Sequence, residues 1–180
     1  MKIALYIAFH NKSSIDCCKD IIDIISGNNQ LVIDSKIKNE LSKEAQKKFS
    51  FFDSKKPIEN DINFVFAIGG DGTILRSITY VKDSNIPVLG INTGRLGFLT
   101  SIQKENIQEA ISLIENNKFS IIKRTLLEVK SESQNDAFYD YPFALNEHKL
   151  KSQEVQSLLI TFSLHFSHVT EVHTLLHCHH

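Results

Sequence analysis

The sequence has 180 residues, enough for one domain or one and a half, and it is long enough to bury a hydrophobic core. Its formal net charge of −1 gives no electrostatic reason to expect binding to nucleic acid or to an anionic membrane surface. Three cysteines, of which Cys17 and Cys18 are adjacent, form neither a disulfide framework nor a zinc-ligand pattern, so they are expected to be reduced thiols.

The chain begins with a short apolar run, Ile3 to Phe9, which ends at His10 and Asn11. This run is too short and ends too abruptly for a signal peptide. No other run approaches the roughly 20 apolar residues that cross a bilayer. The first run is therefore predicted to be a strand, in a cytoplasmic protein with no membrane partner.

Apolar periodicity predicts that strands and helices alternate. Ser13, with Asp16 three residues later, is typical of a capping box, and apolar residues then recur at helical spacing until Gly27. The elements predicted next are a strand at 31–33, a polar helix at 36–48, a loop at 50–60 and a strand at 62–68. This alternation predicts an α/β fold in three layers, with a parallel sheet and right-handed crossovers.

A glycine-rich turn, Gly69-Gly70-Asp71-Gly72-Thr73, follows the strand at 62–68 and precedes a predicted helix at 73–81. Backbone N–H groups in such a turn come close to a ligand, and a helix N-terminus favours anions, so the segment is typical of a phosphate site. Asp71 would repel a polyphosphate unless it holds a divalent cation or accepts a proton from an attacking hydroxyl. For this turn alone, the alternative is an aspartate that merely caps the helix.

A second glycine cluster, Asn92 to Leu99, follows a predicted strand at 86–91. Ligands of parallel sheets gather at the carboxyl ends of strands, so the two glycine turns can share one site. Arg76 lies shortly after the first motif and Arg95 lies within the second, and a guanidinium suits bidentate contact with phosphate, although a surface salt bridge is the alternative for each. The coincidence predicts a nucleotide site.

The remaining predicted elements are a helix at 105–118 and two strands at 119–122 and 126–129, which open a β-rich region. Asn146 and Glu147 follow a short apolar run, and an amide beside a carboxylate suits hydrogen bonds to ribose hydroxyls and adenine edges. By itself, this pair indicates little.

Three motifs together identify a resemblance: Gly-Gly-Asp-Gly-Thr at 69–73, Asn-Thr-Gly-Arg-Leu-Gly-Phe-Leu at 92–99 and Ala-Leu-Asn-Glu at 144–147. In this order and spacing they resemble the NAD kinase family, over residues 1 to about 147. The first motif is shared with lipid kinases of the diacylglycerol type, whereas the other two are more specific. The resemblance implies that ATP phosphorylates the 2′-hydroxyl of the adenosine ribose of NAD, giving NADP, with a divalent metal such as Mg²⁺.

The resemblance also implies roles for individual residues. Asp71 matches the proton acceptor, and no metal ligand is assigned. The ATP phosphate loop would comprise Gly69, Gly70, Gly72 and Thr73. The NAD site would comprise Asp71, Gly72, Arg76, Phe98, Asn146 and Glu147. Members of this family are generally homo-oligomers.

The resemblance ends after Glu147, where the composition changes. No glycine occurs after Gly97, and seven of the eight histidines lie in 148–180. The glycine- and threonine-rich segment that closes the family's NAD site has no counterpart, which favours a truncation or a shifted reading frame. We therefore expect an α/β nucleotide-binding domain at 1–119, the start of a truncated β-rich domain at 120–147, and an atypical His-rich tail at 148–180.

Within the tail, alternation at 158–166 predicts a strand, and Val169, Val172 and Leu176 have helical spacing. On such a helix His173 and His177 could bind a transition metal, but an incidental tail is favoured. Without the closing segment, this chain is expected to turn over poorly and its assembly is in doubt. Two alternatives to NAD kinase stay open, a diacylglycerol-type lipid kinase and a catalytically dead nucleotide-binding remnant.

Overall fold

The computed structural model describes residues 1–25, 27–82, 84–94, 97–128, 143–145 and 171–178. The strands are β1 (Lys2–Tyr6), β2 (Gln30–Asp34), β3 (Ser50–Phe52), β4 (Phe64–Ile68), β5 (Val88–Asn92), β6 (Ile102–Gln103), β7 (Phe119–Glu128), β8 (Phe143–Leu145) and β9 (Glu171–Cys178). The α-helices are α1 (Lys12–Ile25), α2 (Lys43–Lys48), α3 (Asp71–Val81) and α4 (Ile107–Glu115). Short 3₁₀ helices cover Ser35–Glu40 and Lys104–Asn106.

The sheet confirms the predicted parallel α/β arrangement. Five strands lie in the order β3-β2-β1-β4-β5, each parallel to its neighbour, and β6 pairs in parallel with the end of β5. The direction of winding reverses between β1 and β4. In open α/β sheets, ligands bind beyond the carboxyl ends of the strands at such a reversal.

Helices cover both faces of the sheet, as the three-layer prediction requires. Alternate residues of a strand point to opposite faces, and β1 shows this directly. Ile3 and Leu5 pack in one core with α1 and α4, whereas Ala4 and Tyr6 pack in the other with α3. Burial of strands on both sides explains their nearly continuous apolar sequences.

The C-terminal strands extend the sheet and correct two predictions. β9 pairs in parallel with β5 through Thr174 and Val88, and it runs antiparallel to β7, which in turn pairs with β8. Residues 119–128 form one strand instead of two. Residues 171–178 form a strand where helical spacing predicted a helix, because pairing with β7 outweighs a weak periodicity. The strand predicted at 158–166 lies outside the described residues.

The predicted helix at 36–48 is also wrong, because the chain breaks it at Leu41 and Ser42. Leu41 is extended (φ −94°, ψ 153°) and only 9% exposed, so its side chain turns into the core. The hydroxyl of Ser42 then accepts a hydrogen bond from the N–H of Ala45 at 3.1 Å and begins α2. A buried leucine followed by a capping serine therefore outweighs the helix propensity of the surrounding lysines.

Two smaller corrections concern the predicted loop at 50–60 and the start of α1. Ser50–Phe52 pairs with β2 and adds an edge strand to the sheet. The cap of α1 is Asn11, whose Oδ1 accepts from the N–H of Ser14 at 2.9 Å. Ser13, predicted to be the cap, instead donates its hydroxyl to the carbonyl of Thr93 at 2.9 Å. This bond ties the first turn of α1 to the second glycine cluster.

The sequence predicted reduced cysteines and no membrane-spanning segment, and the described residues bear on both predictions. Cys17 and Cys18 are free thiols in the core, and burial raises the pKa of Cys17 to about 11. Within the part of the chain that the structure describes, no helix is both long enough and apolar enough to cross a membrane.

Candidate functional site

The two glycine clusters meet at the carboxyl edge of the sheet, at the reversal between β1 and β4. The N–H of Gly69 donates to the carbonyl of Ile91 at 2.9 Å, which continues the pairing of β4 and β5 into the turns. Because these strands are neighbours, the segments that follow them lie side by side. The structure therefore brings together two motifs that begin at Gly69 and at Asn92 in the sequence.

Asp71 connects the two clusters through its carboxylate. Its Oδ2 accepts a hydrogen bond from the N–H of Phe98 at 2.8 Å. Its Oδ1 accepts from the N–H groups of Leu99 at 2.9 Å and Thr100 at 3.2 Å. Hydrogen bonds to a charged acceptor are roughly twice as strong as neutral ones, so this loop fixes the carboxylate firmly.

The contacts of Asp71 do not match the alternative of a simple helix cap. Asp71 is the first residue of α3, and the cap position is occupied by Gly70, without a side-chain capping bond. The carboxylate reaches the loop after β5 instead of the N–H groups of its own helix. A negative charge in the first turn still interacts favourably with the helix dipole.

The loop that holds Asp71 is itself fixed by a small polar network. The side chain of Asn92 accepts from the N–H of Gly94 at 2.7 Å and donates to the hydroxyl of Thr100 at 2.9 Å. The same hydroxyl accepts from the N–H of Gly97 at 3.1 Å. Asn92 and Thr100 are 4% and 5% exposed, so the network is shielded from water.

Two glycines in these turns cannot carry a side chain. Gly69 has φ +151°, and an added Cβ would overlap the hydroxyl of Thr73. An added Cβ on Gly97 would overlap the carboxylate of Asp71. Glycine at these positions therefore allows the close approach that the site requires.

The N-terminus of α3 provides the geometry predicted for a phosphate loop. Gly70 and Gly72 are exposed, so their backbone is accessible to a ligand. The N–H of Thr73 bonds to the carbonyl of Gly70 at 2.8 Å, and the Thr73 side chain is buried. First-turn N–H groups and the helix dipole favour an anion at this point.

Arg76 and Phe98 both lie at the exposed edge of the site. The guanidinium carbon of Arg76 is 4.7 Å from the ring centroid of Phe9, within the range of a cation–π contact. Phe9 was not singled out from the sequence, although its position just beyond β1 places it at the reversal of the sheet. The side chain of Phe98 is 98% exposed. Two aromatic rings and one cation thus surround the glycine turns.

The same edge carries a second acid, Asp34, at the end of β2. Asp34 is only 1% exposed, and burial raises its pKa, against the lowering effect of hydrogen bonds from Lys36. The ammonium of Lys36 donates to the carbonyl of Ile7, to Asp34 and to the hydroxyl of Ser54, at 2.9, 3.3 and 3.1 Å. An ammonium has three donors, and these contacts use all of them. They indicate that Lys36 has a structural role here.

Three residues singled out from the sequence cannot be placed. Asn146, Glu147 and Arg95 lie outside the described residues.

The described residues contain no group of three or more His, Cys, Asp or Glu side chains that could hold a metal ion. His173 and His177 lie on strand β9, where four residues span about 13 Å. The two histidines therefore do not lie one turn apart on a helix, which is the arrangement that the predicted metal site in the tail required.

Two clefts lie away from the glycine turns. One, of about 240 Å³, is lined by residues that include Asn29 and Glu115, and the other, of about 340 Å³, by residues that include Phe52 and Tyr80. Neither is lined by a residue of the two glycine clusters. At the candidate site, the described residues Gly70, Gly72 and Phe98 are exposed.

Comparison with known proteins agrees with this geometry. Residues 22–119 match the family model described as the ATP-NAD kinase N-terminal domain. An NAD kinase of Flavobacterium johnsoniae is 37% identical over 162 residues, which is 88% of this chain and 55% of that protein. One from Methanothermobacter thermautotrophicus is 40% identical over 99 residues, which is 55% of this chain and 33% of that protein.

A solved structure shares the fold. Yeast NADH kinase, crystallised with NADH, has a TM-score of 0.56 and 16% sequence identity, over 75% of this chain and 44% of that one. The chain spans about half the length of the curated relatives it matches, such as the F. johnsoniae protein, of which it covers 55%.

Proposed function

Because the chain belongs to the NAD kinase family, we propose that it transfers the γ-phosphate of ATP to the 2′-hydroxyl of the adenosine ribose of NAD. One observation supports this most directly. The carboxylate of Asp71 is held in place at the N-terminus of α3, beside the glycine-rich turn. A fixed carboxylate beside an anion site suits the transfer of a phosphoryl group to a hydroxyl.

The hydrogen bonds of Asp71 suggest which oxygen would act. A carboxylate oxygen can accept about two hydrogen bonds. Among the described residues, Oδ1 accepts two from the loop, whereas Oδ2 accepts one, from Phe98. We assign the remaining acceptor position on Oδ2 to the attacking ribose hydroxyl. This atom would orient the hydroxyl and receive its proton.

The neighbouring residues would position the two substrates. The phosphates of ATP would bind the backbone of Gly69, Gly70, Gly72 and Thr73 at the start of α3. The dinucleotide would contact Gly72, Arg76 and Phe98, and Asn146 and Glu147 would hold its ribose and adenine. The open surface between Phe9 and Phe98 offers rings against which a base can pack.

Phosphoryl transfer proceeds through a loose transition state, so the protein mainly positions the reactants and stabilises charge. Mg²⁺, when bound, neutralises charge on the phosphates. It keeps several waters and commonly binds through substrate phosphates with only one or two carboxylates. The described residues provide no protein cage for the ion, and an ion carried by ATP does not need one. Asp71 would then contribute orientation and late proton transfer, an effect of roughly 10²–10⁴-fold.

We further propose a cytoplasmic protein with domain limits at 1–119, 120–147 and 148–180. A homo-oligomer is expected for the family.

A coupled assay tests the proposal. The chain is incubated with ATP, Mg²⁺ and NAD, and NADP is detected with an NADP-specific dehydrogenase. NADP formation supports the proposal, and its absence from a folded chain that still binds ATP would favour the nucleotide-binding remnant.

The family match argues against the diacylglycerol-type lipid kinase. Replacing NAD by diacylglycerol in the same assay should give no phosphorylated lipid.

A further inference from the structure

We propose that Thr100 is a positioning residue, which acts through the loop after β5 to aim Oδ2 of Asp71 at the attacking hydroxyl. The inference rests on the proposed function and deepens it, since Thr100 itself would not touch either substrate. Its side chain is 5% exposed and lies behind the loop.

The hydroxyl of Thr100 joins the two ends of the loop. It accepts from Nδ2 of Asn92, the last residue of β5, at 2.9 Å, and from the N–H of Gly97 at 3.1 Å. The first contact anchors the hydroxyl to the rigid sheet, and the second draws Gly97 inward. The segment between Gly97 and Thr100 is thereby held in a tight turn.

This turn directs three consecutive N–H groups toward one carboxylate. Those of Phe98, Leu99 and Thr100 donate to Asp71 at 2.8, 2.9 and 3.2 Å. Gly97 has no side chain that would obstruct their approach. Three donors on one side hold the carboxylate in one orientation, and within the described part of the chain Phe98 is the one hydrogen-bond donor to Oδ2.

Loss of the Thr100 hydroxyl should release this arrangement without removing a substrate contact. The N–H of Gly97 and Nδ2 of Asn92 would lose a shared acceptor in a region shielded from water, which is unfavourable. The loop would then shift, and the carboxylate with it. A displacement of about 1 Å at a reacting group can reduce a rate by about 10²-fold.

The test compares Thr100→Val, which removes the hydroxyl at nearly constant shape, with Thr100→Ser, which keeps it. Thr79→Val is the matched control, because the Thr79 hydroxyl donates to the carbonyl of Arg76 on the surface of α3, at 2.8 Å. For each full 180-residue chain, kcat and KM for NAD are measured. Amide hydrogen exchange at residues 98–100 is measured in parallel.

Thr100→Val is expected to lower kcat by about 10–100-fold, with a smaller rise in KM for NAD because Phe98 lies in the same loop. Its exchange at Phe98 and Leu99 should accelerate. Thr100→Ser and Thr79→Val should retain most of the activity. Their amide exchange at residues 98–100 should stay as slow as in the unaltered chain. Rescue by serine assigns the loss to the hydroxyl, and unchanged amide exchange in β1 and β4 excludes general unfolding as the cause.

Unchanged kcat or unchanged exchange in Thr100→Val would overturn the inference, and so would an equal loss in Thr100→Ser. Failure of the proposed function is distinguishable, since the unaltered chain would then form no NADP. The positioning role would fall with it, while the exchange data would still decide whether Thr100 holds the loop.

Discussion

Asp71 has two tasks in this site, as the anchor of a loop and as the proposed proton acceptor. Both of its oxygens already bind backbone N–H groups of residues 98–100. A substitution at this position therefore changes the loop and the chemistry together. For this reason an activity measurement needs a second measurement of binding and of loop order beside it.

Asp71→Asn is expected to lower NADP formation by at least about 10²-fold. An amide has one acceptor oxygen, and its NH₂ group would face an N–H donor of the loop. Exchange at Phe98 should therefore rise, whereas ATP affinity should persist because the backbone at Gly70 and Gly72 is unchanged. Calorimetry with ATP and exchange measurements check both.

Asp20→Asn is the matched control for that substitution, since Asp20 has an exposed side chain that pairs with the surface residue Lys104 at 3.1 Å. Such pairs contribute little to stability, so activity and exchange should be unchanged. An Asp71→Asn chain that forms NADP at the unaltered rate would remove Asp71 from the mechanism.

Asp34 makes the stability of the folded chain depend on pH, and the sign of this dependence follows from the burial of its carboxyl group. Its pKa is raised in the folded chain, so the folded state binds more protons than the unfolded state above about pH 4. The contribution of this group to stability is therefore present at low pH and is lost as pH rises through the raised pKa.

Asp34→Asn should remove that dependence. The stability of the variant relative to the unaltered chain should rise between about pH 4 and pH 7, as measured by urea unfolding at several pH values. The amide can still accept from the N–H of Lys36, which bonds to Oδ1 at 3.0 Å. A stability difference that is constant or falls with pH would contradict the assignment.

Among the elements, α3 matters most, because it presents Asp71 and packs on the sheet behind it. Its apolar spacing was readable from the sequence, and Ile74, Ile78 and Val81 are each at most 2% exposed. This packing holds the helix N-terminus at the carboxyl edge. Stability of the helix and geometry of the site are thus linked.

Ile78→Ala should destabilise the chain by about 2–5 kcal/mol, because it leaves a cavity between α3 and the sheet. Leu75→Ala on the same helix is the control, since Leu75 is 42% exposed and should change stability by no more than about 0.5 kcal/mol. Denaturant unfolding measures both. Equal losses would mean that α3 does not pack as described.

The elements that were predictable from sequence are those with strong local periodicity. Strands β1, β2, β4 and β5 and helices α1, α3 and α4 were expected near their observed positions, because each buries a continuous or evenly spaced apolar set. The failures depended on distant partners. β3 is three residues long and forms only against β2, and β9 forms against β7.

The candidate site was predictable in part. Glycine turns after buried strands indicated where Asp71 and the second cluster would meet. The bonds from residues 98–100 to Asp71, the bridge through Thr100 and the contact of Phe9 with Arg76 were not predictable, since threonine and phenylalanine carry no signal for such contacts. The predicted roles of Asn146 and Glu147 stay predictions.

For the whole molecule, the described structure forms one edge of a nucleotide site on a parallel sheet. The chain covers 55% of the F. johnsoniae NAD kinase. The ring of Phe98 is 98% exposed and is therefore accessible to a ligand. Domain limits and assembly stay predictions at this scale.

The most direct test follows the phosphate itself. ATP labelled in its γ-phosphate is incubated with NAD, Mg²⁺ and the full chain, and the products are separated by chromatography. The account predicts that label appears in NADP in proportion to chain concentration, and that Asp71→Asn abolishes its appearance. Absence of labelled NADP from a folded chain that binds ATP would contradict the account.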